Sequence, residues 1–493
     1  MSAAAAAGRA QRSWFTARSV AKATGGDVLQ DGATGQAVAT DTREECAGAV
    51  FVALRGDQHD SHDYLDRAVA RGCAGLVVDR DVDVAAFARE ASLRGARPPF
   101  VVRVADTGLA LLELAREHRR RSRAKVVGIT GSCGKTTTKE WLGAVLAAAM
   151  PTERSPASFN NKVGVPLTLF RLSPETRAAV VEIGTNAPGE IAQLTGVARP
   201  DIGVVTCVAP AHLEGLGSLA GVAREKSSLP RGLSADGLCL LNGDDPACRE
   251  MAAHTAARVE WFGIERQADW FATDLRAEGA GTSFLLQGAR RVTLPHLGAH
   301  NVSNALAVIA AAHHLGVPED LVLSQLAAAP SASRRLERKR VAGVTILDDT
   351  YNMNPASARS SLQALADLSP AGGERAGGGR SIVVFGGMAE LGDESASLHH
   401  RLGEQVAAAG RDLLVCVGAA AEAIAAGAIA AGMAADAVAC VADAQAAYGL
   451  LNSELRAGDV VLCKASRRVR LDVLVDQLVA DLTGEDGAEA SRG

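Results

Sequence analysis

"VVGITGSCGKTTTKE", residues 126–140, decides how the rest of the chain is read. An apolar strand runs into a glycine-rich turn, and a helical stretch begins near Lys135. Such a turn lets backbone N–H groups approach a phosphate, and the helix N-terminus adds unpaired donors and a favourable dipole. The spacing departs from the G-x-x-x-x-G-K-[ST] rule, because Ile129 stands five residues before Gly134 and the available glycines are Gly128 and Gly131. Gly131, Ser132, Cys133, Gly134, Lys135, Thr136 and Thr137 are therefore the candidate nucleotide contacts, with Lys135 reaching the outer phosphates and Thr136 supplying a hydroxyl to Mg2+. The alternative is a tight strand-to-helix turn that carries Gly-Lys-Thr by accident.

Working outward, short apolar runs alternate with helical stretches. "KVVGIT", "AAVVEIG" and "IGVVTCV" read as strands of a parallel sheet covered on both faces. "VTILDD", "SIVVFGG", "DLLVCVG" and "DVVLCKA" repeat the style and predict a second, C-terminal parallel sheet. "AGAVFVAL" and "AGLVVD", around a helix at "YLDRAVARG", predict a smaller mixed α/β domain at the start. Two charge runs, residues 117–125 and 333–340, mark domain boundaries. The fold class expected is α/β in three domains: 16–122, 123–332 and 333–493, after a disordered leader over 1–15. A chain of 493 residues is long enough for several cores.

Composition excludes more than it assigns. Apolar residues at 48% and charged residues at 22% are those of a globular protein, and 3% aromatics predict an aliphatic core. A net charge of −5 gives no general attraction for nucleic acid or anionic membrane. Nine cysteines without a C-x-x-C pair suggest neither a structural zinc site nor a disulfide framework, which fits a reducing cytoplasm. The alanine run of "MSAAAAAGRAQRSWF" precedes its arginines, the wrong order for an export signal. The alanine-rich stretch from Gly418 is broken by Glu422, glycines and Asp436, so it predicts helix and a short strand rather than a membrane span. "SPAGGERAGGGR" reads as a flexible loop.

Two further polar residues reach the same predicted sheet edge. Glu182 ends "AAVVEIG", where an open parallel sheet places ligands and a carboxylate can hold Mg2+; the alternative is an exposed strand-end acid. His212 follows "IGVVTCV"; the alternative is a hydrogen-bonded structural histidine.

These residues resemble a known family. Thr130 to Thr136 looks like the T-G-x-x-G-K-T loop of the Mur ligases, ATP-dependent amide ligases of peptidoglycan synthesis. "NNKVGVP" (160–166), "VEIGTNAPGEI" (181–191) and "AHLEGLGSLAGVAREK" (211–226) resemble its central blocks in order. "GAHNVSNALAV", "DDTYNMNPAS", "FGGMAELGDES" and "KASR" are similar to the member that joins D-alanyl-D-alanine to UDP-N-acetylmuramoyl-tripeptide. The resemblance runs from about Asp41 to Asp472. It implies that ATP phosphorylates the peptide carboxylate and that an amine attacks the acyl phosphate. Lys135, Glu182, His212 and Lys226 are then the catalytic residues, and Thr136, Glu182, His212 and Lys226 the ligands of two Mg2+ ions. Lys226 matches a lysine that relatives carry as a carbamate, although a helix lysine is ordinarily exposed. Asn301, Arg335 and Asp349 would flank the nucleotide. Asp41, Thr42, Arg43, Asn160, Asn161, Tyr351, Asn352, Lys464, Ser466 and Arg467 would meet the UDP-peptide or the dipeptide; the asparagines equally suit local turns. Ser61, Arg334 and Ala465 stand where the family carries glycine.

The expectation is a monomeric, cytoplasmic ligase using ATP and Mg2+, with no nucleic-acid partner and no membrane insertion. A sister ligase adding a single amino acid and a non-catalytic nucleotide-binding module are the alternatives. Independently of the resemblance, Cys133 at a helix N-terminus beside Lys135 suggests a thiol of lowered pKa; an inert small residue is the other reading.

Overall fold

The computed structural model describes residues 14–56, 58–264, 268–279, 281–330, 333–369 and 379–490. The leader up to residue 13 and most of the loop at 369–380 lie outside them. Trp14 and Phe15, assigned to the leader, belong instead to the folded part. Phe15 is buried, bridges to Gly35 and packs with Val20, Val50 and Phe100. A large aromatic ring loses more by staying in water than the chain loses by being ordered there.

Among the described residues the strands form three parallel-rich mixed sheets, and the chain divides into two compact units. The first comprises Met1–Gly128, Met150–Gly184 and Ala192–Asp201; the second comprises Ile129–Ala149, Thr185–Ile191 and Ile202–Gly493.

In the first unit β1 (Asp27–Gln30), β2 (Ala37–Ala39), β3 (Ala49–Val52), β4 (Gly75–Val78) and β5 (Phe100–Arg103) lie in the order β1-β5-β4-β3-β2. β1 is antiparallel to β5 and the others pair parallel. β3 and β4 are buried at every position, which is why they read as unbroken apolar runs. The unit also holds most of β6 (Lys125–Thr130), then β7 (Thr152–Arg154) and β8 (Ala178–Glu182), with β7 and β8 parallel. Asp201 ties β6 down: its carboxylate accepts from Val126 N (2.9 Å), Lys125 Nζ (2.8 Å) and Arg119 Nη2 (3.1 Å).

In the second unit β9 (Ile202–Val205), β10 (Leu238–Asn242), β11 (Arg258–Gly263) and β12 (Trp270–Glu278) pair parallel in sequence. β13 (Gly281–Leu286) and β14 (Arg290–Leu294) then continue antiparallel. This hairpin extends the parallel central sheet; β14 alternates with exposed positions, and β13, though buried, opens on Gly281, Thr282 and Ser283, so neither strand gives a continuous apolar signal. β15 (Glu337–Val341), β16 (Val344–Asp349), β17 (Ser381–Gly386), β18 (Leu413–Val417), β19 (Val438–Val441) and β20 (Val460–Lys464) lie in the order β15-β16-β20-β17-β18-β19. All pair parallel except β15 with β16. β15 lies within the second charge run, so that run is in part an edge strand, where charges discourage further strand pairing. Apolar residues cover both faces, Leu347, Val383, Phe385 and Leu462 on one and Ile346, Val384, Val461 and Leu474 on the other.

Candidate active site

The phosphate-loop stretch folds as its sequence predicts. β6 ends at Thr130 and the helix Lys135–Ala149 begins directly after the turn. Two glycines are required by what surrounds them. Gly131 has φ +150, and a Cβ there would lie 1.9 Å from Thr206 Oγ1; Gly134 has φ +81, and its Cβ would lie 2.4 Å from Asn304 Oδ1. The segment after β9 holds the turn in place: Thr206 N donates to Thr130 O (3.0 Å), Ser132 N to Cys207 O (2.9 Å) and Ser132 Oγ to Ala209 O (2.9 Å). Thr206 Oγ1 also donates to Cys133 O. Lys135 Nζ donates to Gly131 O at 2.8 Å, which keeps its ammonium over the loop.

Lys226 and His212 join this loop within the second unit. Lys226 ends the helix Leu219–Lys226 and is buried, so it is not the solvent-facing lysine of the alternative reading. Burial, reinforced by the charge of Lys135, lowers its ammonium to about 7. His212 adopts a left-handed backbone, φ 56°, and its Nδ1 lies 2.5 Å from Glu390 Oε2. Burial lowers its pKa and Lys135 adds to the effect, while Glu390 opposes it. Beside Lys226, Glu225 accepts from Gly189 N and Ile191 N, each at 2.7 Å, and so fixes the segment Thr185–Ile191.

The C-terminal blocks contribute as well. Arg335 Nη2 donates to Thr136 Oγ1 at 3.0 Å, with its guanidinium 4.1 Å from the Tyr351 ring centroid; that of Arg467 lies at 5.7 Å. Asn354 caps the helix Pro355–Leu368 by accepting from Ser357 N (2.9 Å), and its Nδ2 donates to Ser132 O (3.3 Å). Cys133 Sγ donates to Asn354 Oδ1 (3.3 Å). The Cys133 thiol is lowered to about 6, mainly by its hydrogen bond from Cys207, with Asn354, Lys135 and Lys464 helping against burial. A lowered pKa was expected, but the neighbouring thiol does more than Lys135.

Other predicted contacts are engaged within the protein. Asp349 Oδ2 accepts from Lys464 Nζ (2.5 Å) and Ser361 Oγ (2.5 Å), and Oδ1 accepts from Leu336 N (3.2 Å). Lys464 also donates to Asn352 O at 3.0 Å, so this buried pair joins β16, β20 and the Tyr351 segment. Asn301 is buried in the first turn of the helix Ala299–His314, donating to Leu297 O at 2.9 Å. Ser466 is buried, its N–H donating to Gly387 O (3.0 Å), while Asn352 is exposed and Thr137 half-buried.

This geometry has clear relatives. Residues 129–312 match the Mur ligase middle domain and residues 334–467 match the family model described as Mur ligase, glutamate ligase domain. The UDP-N-acetylmuramoyl-tripeptide--D-alanyl-D-alanine ligase of Escherichia coli (strain K12) is 38% identical over 81% of this chain and 84% of its own. The chain belongs to the Mur ligase family. A crystal structure of MurF from Acinetobacter baumannii is 31% identical, with a TM-score of 0.83 over 94% of this chain and 99% of that one. MurF ligase from Thermotoga maritima, solved in complex with ADP, is 27% identical, with a TM-score of 0.78 over 91% and 98%.

The first unit of this Mur ligase carries its own polar groups. Glu182 is buried, not an exposed strand end; its Oε1 accepts from Asn160 Nδ2 (2.8 Å) and its backbone N donates to Ser155 Oγ (3.1 Å). Asn161 serves as a turn former, Oδ1 accepting from Gly164 N (2.8 Å) and Val163 N (3.1 Å). Asp41 and Arg43 pair with each other at 2.6 Å in a largely exposed segment, and Thr42 between them is buried. Beside Ser61, side chains build a network: His62 lies between Asp60 (2.6 Å) and Asp79 (3.1 Å). Desolvation pushes the Asp60 carboxyl up, but hydrogen bonds from His62 and Arg80 outweigh it and bring it to about 2.

Of the three glycine replacements, only Arg334 takes a positive φ, 58°. Its guanidinium compensates for the strained backbone, donating to Asp476 Oδ2 (2.8 Å) and Asp472 O (3.2 Å). Sequence reasoning missed Thr206, Asn354 and Glu390. The Asn-Pro-x-Ser pattern of a helix cap could have found Asn354; the others are placed only by tertiary contacts.

Among the described residues no group of three or more His, Cys, Asp or Glu side chains gathers as a metal cage. The residues present still fit Mg2+, which takes hard oxygen donors, keeps waters and shares substrate phosphates rather than needing such a cage. The Thr136 hydroxyl at the phosphate loop is a donor of that kind, and a lysine lowered to about 7 can lose its proton. None of the helices among the described residues is long and apolar enough to cross a membrane.

Proposed function

We propose that this chain joins D-alanyl-D-alanine to UDP-N-acetylmuramoyl-tripeptide through an acyl phosphate, converting ATP to ADP and phosphate. The similarity to the Escherichia coli enzyme over most of both chains carries the reading; the cation cluster at the phosphate loop supports it. Carboxylate activation places negative charge on the transferring phosphoryl group and then on a tetrahedral centre, so catalysis needs fixed positive charge and positioned donors. Lys135 is held over the loop, and Arg335, steadied against Tyr351, reaches the hydroxyl of Thr136. Both would meet phosphates held on the turn's N–H groups.

Lys226 has a separate part. An amine lowered to about 7 is substantially neutral at neutral pH, and only a neutral amine can take up carbon dioxide as a carbamate. Thr136 and Glu182 would hold one Mg2+, His212 would help to place a second with Glu182, and Lys226 as a carbamate would add a metal-binding anion; the ions would neutralise the phosphate oxygens. Asp41 to Arg43 and Asn160 would face the UDP-peptide, and Tyr351, Asn352, Ser466 and Arg467 the dipeptide. Asn301 and Asp349 would border the nucleotide. These roles divide over 16–122, 123–332 and 333–493, and we assign the protein to the cytoplasm as a monomer.

The test is phosphate release by purified protein with MgATP. Release is expected only with the tripeptide nucleotide and D-alanyl-D-alanine together. Release with a shorter nucleotide and a single amino acid would instead identify a sister ligase, and none under any pairing would leave a non-catalytic nucleotide-binding module.

A further inference from the structure

His212 and Glu390 meet in an arrangement that costs the chain something to build. Both are non-glycine residues in the left-handed region, at φ 56° and 61°, a conformation that persists only where surrounding structure enforces it. The enforcement is visible. Glu214 N donates to Glu390 O at 3.1 Å, and Leu213 and Leu216 share an apolar cluster with Met388 and Leu391. Two loops from distant parts of the sequence are thereby clasped, and the clasp delivers Glu390 Oε2 to within 2.5 Å of His212 Nδ1.

Stability does not account for the contact. The side chains are 26% and 37% exposed, and ion pairs at such exposure contribute little. Chemistry offers a better account. A carboxylate oxygen accepts, so the ring nitrogen facing it carries the proton, and the opposite nitrogen keeps its lone pair. The other charged groups acting on the ring come from other elements, Lys135 and Lys226, whose ammonium forms lower its pKa where Glu390 raises it.

We infer that Glu390 is a positioning residue of the reaction, holding the His212 ring in its Nδ1–H form so that Nε2 remains the acceptor the site uses. This rests on the proposed ligase reading, in which His212 serves the ATP-dependent step. It explains why the "GGMAELG" block carries an acid at Glu390: alanine or leucine would support the same backbone clasp but would leave the ring free to turn or to change tautomer.

The full-length protein, labelled with 15N-histidine, decides the matter by NMR, with His212→Gln identifying the His212 signals. Wild type is expected to show the Nδ1–H form. Glu390→Ala should move it toward the Nε2–H form, and Glu390→Gln, whose amide oxygen still accepts, should keep it. In phosphate release, Glu390→Ala should lower kcat by roughly 10- to 100-fold with KM for each substrate within about twofold. Glu390→Gln should restore most of the loss. An Nε2–H form in the wild type, or a Glu390→Ala protein with unchanged kcat, overturns the inference. A wild type without ligase activity would sink the function reading instead, while the tautomer measurement would still report on Glu390.

Discussion

Gly131→Ala tests how tightly the phosphate loop is specified. The added methyl group would lie 1.9 Å from Thr206 Oγ1 and 3.1 Å from Thr206 Cβ, at a φ of +150 that L side chains rarely adopt. Thr206 is buried, and turning its hydroxyl away breaks its bonds to Cys133 O and Thr130 O. Backbone strain of about 1–3 kcal/mol and a lost buried hydrogen bond of about 0.5–1.5 kcal/mol together give about 1.5–4.5 kcal/mol. If the loop relaxes by moving, the cost falls on nucleotide binding, and 2 kcal/mol corresponds to roughly 30-fold weaker affinity. Urea unfolding separates the stability cost from ADP affinity measured by isothermal titration calorimetry. Thr206→Ala removes the closest clashing atom, so the substitution at Gly131 should cost about 1–2 kcal/mol less in that background. Wild-type affinity and an unchanged urea midpoint in Gly131→Ala would refute the reasoning, as would a larger cost when Thr206 is also truncated.

Two further outcomes are expected. Burial lowers His300 to about 4, so between there and its ordinary value the unfolded chain binds more protons than the native one; stability should fall as pH drops from about 6.5 toward 4 and be flat in this term above that range. Denaturant titrations at several pH values should give a shallower acid loss for His300→Gln, and identical slopes would exclude the assignment. Because the Cys133 thiol is lowered to about 6 while burial pushes Cys239 up to about 12, brief iodoacetamide treatment at neutral pH should label Cys133 first and abolish ligase activity. Full activity with Cys133 shown by mass spectrometry to be alkylated would make it an inert loop residue.

The sequence by itself determined the parallel cores and the phosphate loop. Strands such as β8 and β17 are buried along their whole length, so their apolar residues run without interruption, and the strand, glycine turn and helix of the loop follow one another directly in the chain. It could not determine the β13–β14 extension or that charged β15 pairs as an edge strand, because these strands mix polar with apolar residues and give no unbroken run. The same limit applies to the candidate site. Lys135 and Thr136 were legible from spacing, but for Lys226 and Glu182 an exposed position stood as the alternative until the fold buried them. Tertiary structure alone decided that Asp349 is taken up by Lys464, that Cys207 outweighs Lys135 in lowering Cys133, and that Glu390 meets His212 across 178 residues. The reason is physical: periodicity and turn chemistry report on neighbours within a few residues, whereas desolvation and hydrogen-bond partnership depend on what the folded chain places within a few ångströms.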